Sequence, residues 1–256
     1  MDGQKSEAGA ARPGIRFDQG SHWRAKIGFV LLATEQTIQD DVMRLRPPGV
    51  GIHFARAFIP DRIANDTLGE QLGLLADASA TLLPDGSLDV VCYACTSGSI
   101  VMGEERVHAE LKRGNPNAKP TSLIAGVIKA LRELGVRSVA IATPYLDEIN
   151  RLEARYLEAA GFDVVNIEGL NVERDSDMVR IAPDYLSEFA QSVDRKSADC
   201  LFFSCGAMRS LGIVAELEAE LAKPVVVSNQ AMIWDTWRMA GIPDQVAGFG
   251  RLLSEH

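Results

Sequence analysis

The sequence is poor in the residues from which metal centres and nucleic-acid surfaces are built. Its 256 residues include only four cysteines and four histidines, and the histidines stand far apart, without the spacing of metal ligands. Acidic residues outnumber basic ones, and the resulting net charge of -9 argues against nucleic acid or an anionic membrane as a partner. We therefore expect no metal at the functional site.

Long apolar runs are absent as well. No stretch approaches the roughly 20 apolar residues that a membrane-spanning helix needs, and the first residues lack the basic-then-apolar order of a secretory signal. We expect a cytoplasmic protein whose cysteines remain thiols. With 46% hydrophobic and 24% charged residues, the chain can bury one large core or two smaller ones.

Short apolar runs alternate with amphipathic stretches from about residue 26 to the C-terminus. Strict alternation of strand and helix predicts parallel sheets joined by right-handed crossovers. Among the helices, the spacing of apolar residues predicts one over residues 68–82, and Ser122 and Ser228 are expected to cap later ones. The predicted fold class is therefore α/β.

Two cysteine-bearing segments repeat one pattern. Residues 93–98 and 203–208 each close an apolar run and open a stretch that has the features of a helix start. The repeat predicts two α/β domains related by pseudo-twofold symmetry, with the active site in the cleft between them. We place a flexible tail at 1–22, the first domain at 23–121 and the second at 122–227, and we expect residues 228–256 to return to the first domain.

The repeated cysteines, Cys95 and Cys205, are the candidate catalytic residues. A thiolate is both a base and a nucleophile, and a helix N-terminus lowers the pKa of a thiol because its free N–H groups and dipole favour anions. Cys92 and Cys200 lie within strands and are interpreted as packing residues. Residues three apart in a strand point to opposite faces, so Cys92 and Cys95 are not expected to form half of a zinc site.

Several groups beside these cysteines could bind a substrate carboxylate. The candidate donors are the hydroxyls of Thr96 and Ser97, the backbone N–H groups of Gly206 and Ala207, and the phenol of Tyr145, which lies just past a strand end. A carboxylate held in this way can take up charge while its α-carbon becomes an enediolate. That step is shared by racemisation, decarboxylation and related isomerisations without a cofactor.

The motifs around these residues resemble those of the aspartate/glutamate racemase superfamily, on the branch of the maleate cis-trans isomerases and arylmalonate decarboxylases. They are Cys95-Thr96-Ser97-Gly98-Ser99, the run ATPYLDEIN at 142–150, and Ser204-Cys205-Gly206. The resemblance runs from about residue 26 to 241 and implies two Rossmann-like domains with four-stranded parallel sheets, and no metal or organic cofactor. Within the branch, the segments most similar to the ectoine-utilisation proteins are 31–40, 44–48, 180–184 and 228–234.

The resemblance also implies roles for the two thiols. In the racemases two thiols act as acid and base on opposite faces of one carbon, whereas in the maleate isomerases the first thiol attacks an alkene carbon. Cys95 and Cys205 match these two positions, and Tyr145 matches a tyrosine that binds a substrate carboxylate. The decarboxylases typically carry glycine at the first position, so Cys95 argues against simple decarboxylation.

Two departures from the family pattern suggest a different substrate charge. Maleate isomerases usually have asparagine where this chain has Glu35, and another asparagine in the region of Asp175. An extra carboxylate would repel a dianion and would suit a carboxylate substrate that also carries an amidinium or ammonium group, such as ectoine. We expect a homo-oligomer, either a dimer or a tetramer. Cis-trans isomerisation of maleate, arylmalonate-type decarboxylation and a non-catalytic binding protein remain alternatives.

Overall fold

Two parallel four-stranded sheets form the framework of the protein, which the computed structural model describes over residues 14–256. The strands are β1 (Ala25–Leu32), β2 (Val50–Ala57), β3 (Val90–Tyr93), β4 (Lys119–Ser122), β5 (Ser138–Thr143), β6 (Asp163–Gly169), β7 (Cys200–Phe203) and β8 (Val225–Val227).

Twelve α-helices occur in the described part of the chain: α1 (Ile38–Leu45), α2 (Asn65–Gly69), α3 (Leu75–Ala80), α4 (Thr96–Met102), α5 (Glu104–Gly114), α6 (Leu123–Glu133), α7 (Asp147–Ala159), α8 (Asp175–Met178), α9 (Pro183–Val193), α10 (Val214–Leu221), α11 (Ser228–Met239) and α12 (Arg251–Glu255). Two 3-10 helices cover Glu70–Leu74 and Leu211–Ile213. Within residues 14–256, none of the helices has the length and apolar character required to traverse a lipid bilayer.

The two sheets repeat the same strand order. The first runs β2-β1-β3-β4 and the second β6-β5-β7-β8, with every pairing parallel. The inner strands are rich in apolar residues and buried on both faces, as expected for strands covered by helices on each side. This architecture confirms the predicted α/β fold with two four-stranded parallel sheets.

The strand order fixes where a site can form. In each sheet the chain reverses its winding direction between the two central strands, which are β1 and β3 in the first sheet and β5 and β7 in the second. Ligand crevices in open α/β sheets form at this point, beyond the carboxyl ends of the strands. The segments that follow these four strands therefore compose the cleft.

Helices α6 and α11 pack directly against each other. Gly126 lies at their closest approach, where an added Cβ would come within 3.1 Å of the carbonyl oxygen of Ala231. Residues 228–237, which make up most of α11, are all buried, so this helix presents no free face to solvent over that length. The N-terminus of α11 is therefore held in place by packing and can support the loops that contact it.

The structure corrects several local predictions. The helix predicted over 68–82 is instead two short helices, α2 and α3, joined by a 3-10 turn. Pro120 to Ser122, interpreted only as a helix start, also form the edge strand β4. Proline lacks an N–H to donate to the ladder and is tolerated on such an edge.

The domain boundaries remain a prediction, although contacts of the C-terminal segment fit its return to the first sheet. Asp235 of α11 accepts hydrogen bonds from Thr121 of β4, at 2.7 Å, and from Lys129 of α6. Further along the chain, Asp244 forms an ion pair with Arg24, just before β1. The predicted flexible tail covers residues 1–22, of which residues 1–13 lie outside the described residues. Residues 14–22 form neither helix nor strand.

Candidate active site

A small cavity lies at the carboxyl ends of β1, β3, β5 and β7. Its lining consists of thirteen residues, all of them buried. Nine were predicted from the sequence: Glu35, Cys95, Thr96, Ser97, Tyr145, Asp175, Cys205, Gly206 and Ala207. The other four form an apolar wall that was not predicted: Leu32, Ile38, Ile63 and Ala94. The structure thus brings the predicted residues that follow the strands of both sheets to one small cavity.

Cys95 is the N-cap residue of α4. Its extended backbone turns the side chain back over the first turn of the helix, where Sγ accepts a 3.3 Å hydrogen bond from the N–H of Gly98. The hydroxyl of Ser97 lies 3.7 Å from the same sulfur. Burial raises the pKa of the Cys95 thiol to about 11, although the Gly98 amide and the Ser97 hydroxyl act in the opposite direction.

Cys205 does not lie at a helix start, which corrects the sequence prediction. The residues that follow it form a turn, and the next helical residues begin only at Leu211. The reason is its backbone, which has a φ of 114° and cannot lead into a right-handed helix. Ala207 nevertheless donates its N–H to Cys205 Sγ at 3.4 Å, so one backbone donor still faces the sulfur.

The two thiols influence each other through charge. Burial is the main cause that raises the pKa of Cys205, and the charges of Asp175 and Cys95 raise it further. The hydroxyl of Tyr145 acts in the opposite direction by hydrogen bonding to the sulfur. Ionisation of one thiol therefore disfavours ionisation of the other, and the two sulfurs resist becoming thiolates together.

Tyr145 is fixed by a small polar network behind the cavity. Its N–H donates to the hydroxyl of Thr143 at 3.1 Å, and that hydroxyl donates to Asn150 of α7 at 2.6 Å. Burial, followed by the negative charge of Cys205, raises the pKa of Tyr145 well above its ordinary value. The phenol therefore stays protonated, and its one O–H, which faces the sulfur of Cys205, can be donated to a substrate oxygen in its place.

The two carboxylate oxygens of Glu35 have different surroundings. Its Oε1 accepts the N–H groups of Thr37 and of Ile38, the latter at 2.6 Å, and so stabilises the N-terminus of α1. Its Oε2 is buried and finds no hydrogen-bond partner among residues 14–256. Burial raises the pKa of Glu35, an effect that these two N–H groups partly oppose.

Asp175 is the second acid of the cavity. Thr34 donates a 2.6 Å hydrogen bond to its Oδ2, and only 2% of the residue is exposed. Burial raises the pKa of Asp175, and the Thr34 hydrogen bond lowers it in part. The cavity wall therefore carries two buried carboxyl groups in addition to the two thiols.

Ser228 was interpreted as a helix cap, but the structure gives its hydroxyl another role. Val227 occupies the N-cap position of α11, and Ser228 Oγ accepts the N–H of Cys205 at 3.0 Å. The same oxygen lies 3.1 Å from the hydroxyl of Thr96, which directly follows Cys95. The recurrence of a serine at the start of the helix in both repeats drew attention to Ser228, but it did not indicate this contact, because Ser122 caps its own helix.

The remaining two cysteines are packing residues, as interpreted from the sequence. Cys92 and Cys200 lie in β3 and β7 with no exposed surface, and neither lines the cavity. Among residues 14–256, no group of three or more histidine, cysteine or acidic side chains is arranged to hold a metal ion.

Fold and site together define a class of α/β enzymes in which two parallel four-stranded sheets bring cysteine-bearing loops to a common cavity. The sequence profile of the family described as "Arylmalonate decarboxylase" matches residues 54–253, more than three quarters of the chain. The chain belongs to this family.

Individual relatives carry two activities. A maleate isomerase of Nocardia farcinica is 28% identical over 243 residues, which cover 90% of this chain and 96% of the relative. An arylmalonate decarboxylase of Bordetella bronchiseptica is 32% identical over 138 residues, 53% of this chain and 58% of that protein. Among solved structures, a mutant of the Nocardia farcinica maleate cis-trans isomerase with a covalently bound succinylcysteine intermediate superposes with a TM-score of 0.83. It is 25% identical and covers 91% of this chain and 99% of its own.

Proposed function

We propose that this protein is a cofactor-independent isomerase or racemase of a small carboxylate that also carries a positively charged nitrogen. Ectoine, a cyclic amidinium carboxylate, is the example that the sequence resemblance suggests. The observation that carries the proposal is the presence of Cys95, Cys205 and two buried acids, Glu35 and Asp175, around one cavity.

The carboxylate end of the substrate would be held by donors beside the thiols. Thr96 and Ser97 contribute hydroxyls, and the buried, protonated Tyr145 contributes a phenolic donor. As the α-carbon loses its proton, negative charge moves onto the carboxylate oxygens, and donors already in place stabilise that charge. This arrangement lowers the barrier for proton removal without a metal or an organic cofactor.

The two thiols would then exchange the α-proton. One sulfur, as thiolate, takes the proton from one face of the carbon, and the thiol on the other face returns its own proton to the enediolate. The product is the mirror-image centre, and the two cysteines have exchanged protonation states. Both cysteine residues are only 6% exposed, which limits the access of water to the carbanionic intermediate.

The nitrogen end would face Glu35 and Asp175. Glu35 Oε2 is a buried acceptor with no partner in the described residues, and an N–H bearing cation would satisfy it. A bound cation would lower the pKa of both acids and hold them ionised, whereas a dianion would be repelled by about 1 kcal/mol or more for each ionised carboxylate.

Cis-trans isomerisation of maleate is the second candidate, and the similarity to maleate isomerases over most of the chain favours it. In this reaction Cys95 sulfur would form a bond to one alkene carbon, and the electron pair would move toward the adjacent carboxylate. Rotation about the resulting single bond and expulsion of the thiolate would give fumarate. Both acids would then have to be protonated to accept the dianion.

Reactions in deuterium oxide separate these candidates. We expect the protein to incorporate deuterium at the α-carbon of ectoine, or of a related cationic amino acid, and to invert the centre. Conversion of maleate to fumarate without such exchange would support the second candidate, and release of carbon dioxide from an arylmalonate would indicate a decarboxylase. Inertness of the folded protein toward all of these compounds would overturn the proposal.

A further inference from the structure

Ser228 uses every hydrogen-bonding position of its hydroxyl on groups around the two thiols. The oxygen accepts the Cys205 N–H at 3.0 Å and lies 3.1 Å from the Thr96 hydroxyl, and it donates to the carbonyl of Phe203 at 3.3 Å. A hydroxyl has one donor and two acceptor positions, so these three contacts satisfy it completely. The residue itself has no exposed surface.

The neighbouring Asn229 holds the other side of the same turn. Its Nδ2 donates to the carbonyl of Gly206 at 2.9 Å and to the carboxylate of Asp41 at 2.8 Å. Consecutive residues of α11 therefore bind the N–H of Cys205 and the C=O of Gly206. The amide orientation is fixed as well, because both partners of Nδ2 are acceptors.

The hydrogen bonds from Ser228 and Asn229 hold a strained part of the backbone. Cys205 is a non-glycine residue with a φ of 114°, a conformation that persists only where its surroundings enforce it. The N–H that Ser228 accepts belongs to the strained residue itself. If that acceptor were lost, the turn could relax and the sulfur would leave the place where it faces the cavity.

We propose that Ser228 is a positioning residue that holds the Cys205 turn and, through Thr96, the start of the Cys95 helix in one fixed arrangement. It touches neither the substrate nor the sulfur atoms, and acts through the two loops that carry them. The inference rests on the proposed function only in assigning the reaction to these thiols. The hydrogen bonds that Ser228 makes to the two cysteine-bearing loops do not depend on which substrate is used.

The chain provides a matched control at the equivalent place of the other repeat. Ser122 precedes α6 as Ser228 begins α11, and both serines have no exposed surface. The hydroxyl of Ser122, however, accepts the N–H of Ala125 at 3.2 Å and caps its own helix. Loss of the Ser122 hydroxyl should therefore destabilise the fold without releasing the Cys205 turn.

The test compares Ser228→Ala with Ser122→Ala by alkylation with iodoacetamide at pH 8, with each cysteine followed by peptide mass spectrometry. Cys200, buried in β7 five residues before Cys205, reports general opening of the same protein. We expect Ser228→Ala to increase the ratio of Cys205 to Cys200 alkylation at least threefold, and Ser122→Ala to leave it unchanged. Turnover should fall at least tenfold in Ser228→Ala with KM nearly constant, and Ser228→Thr, which keeps the hydroxyl, should restore part of it.

Equal alkylation ratios in the two alanine variants would overturn the proposal. If Ser228→Ala does not fold, Thr96→Val removes the hydroxyl that joins Ser228 to the start of the Cys95 helix. An unchanged ratio of Cys95 to Cys92 alkylation in that variant would equally overturn the proposal, because Cys92, buried in β3, reports general opening of the same sheet. Because alkylation needs no substrate, the positioning role of Ser228 can be tested even if none of the proposed carboxylates is turned over.

Discussion

The hydroxyl of Thr34 donates a 2.6 Å hydrogen bond to Asp175, and this contact joins the loop after β1 to the helix that follows β6 in the other sheet. Two further hydrogen bonds join the same region of the second half to the loop that follows β2. The N–H of Ser176 donates to Asp61 at 2.9 Å, and the N–H of Ile63 donates to the carbonyl of Glu173 at 2.8 Å. Segment 173–176 is thereby held against the loops that follow β1 and β2.

Asp175→Asn tests the role of this acid in substrate choice. The amide oxygen can still accept the Thr34 hydrogen bond, but the negative charge beside Cys205 is gone, so the pKa of that thiol should fall. We expect turnover of a cationic carboxylate to fall about tenfold, mainly through KM, and inhibition by maleate to become stronger. Steady-state kinetics with both compounds measure this. Unchanged selectivity would show that Asp175 does not contact the charged end of the substrate.

Cys95→Ser and Cys205→Ser should each reduce turnover about 1,000-fold, because a serine hydroxyl is too weak an acid for the proton transfers assigned to the thiols. If racemisation is the reaction, the surviving thiol should still exchange the α-proton from one face in deuterium oxide. Cys200→Ala is the matched control, which should lower the free energy of unfolding by about 1 kcal/mol and leave turnover unchanged. Full activity in either active-site variant would exclude the two-thiol mechanism.

Ser97→Ala should make Cys95 a weaker acid. The Ser97 hydroxyl lies 3.7 Å from the sulfur and lowers the pKa of Cys95, so its removal leaves less thiolate at any pH below about 11. Alkylation of Cys95 at pH 8 should slow about threefold, the effect expected for the loss of one long hydrogen bond to a charged sulfur. Ser99→Ala is the control, since the Ser99 hydroxyl donates to the carbonyl of Cys95 and not to its sulfur.

Glu153 should make folding stability depend on pH. This residue of α7 is wholly buried, and the hydroxyl of Ser204 faces its carboxyl group without forming a well-directed hydrogen bond. Burial raises the pKa of Glu153 from 4.5 to about 7. Between these pH values the folded state binds the proton and the unfolded state does not, so stability is highest at low pH and is lost as the pH rises through 7.

Glu153→Gln removes this proton uptake and should change the pH dependence accordingly. Relative to the variant, the native protein should lose about 3 kcal/mol of unfolding free energy between pH 4.5 and 7 and change little above that range. Urea unfolding at several pH values measures the difference. Glu158→Gln, at an exposed position of the same helix, should behave like the native protein at every pH. Parallel curves for the native protein and Glu153→Gln would mean that Glu153 is ionised in the folded state.

The parts of the fold that sequence could predict are those governed by local periodicity. The buried strands β1 and β5 and the amphipathic helix α7 are each marked by apolar spacing, and the alternation of such segments implies parallel sheets. The edge strand β4 was missed because its sequence, Lys-Pro-Thr-Ser, carries no strand signal. Its pairing with β3 comes from tertiary context.

The site shows the same division. The thiols and their neighbouring donors follow strand ends in sequence, so their convergence could be inferred from the topology of parallel sheets. The apolar wall at Ile38 and Ile63 could not, because nothing in an isolated apolar residue shows which cavity it will face. The backbone of Cys205 was also missed, since a positive φ is not expected for cysteine and is enforced by contacts from residues more than 20 positions away.

Because the residues that line the cavity are almost entirely buried, a molecule bound there would meet little bulk water. The hydrogen bonds from Ser176 to Asp61, which help to hold segment 173–176 beside the cavity, can be exchanged for bonds to water at little cost, so this segment is where the cavity wall can yield to a larger ligand. If release of the product is slower than the chemical step, release sets the rate of each cycle, and in the proposed reaction a proton taken up by either sulfur would then have time to return to the same molecule.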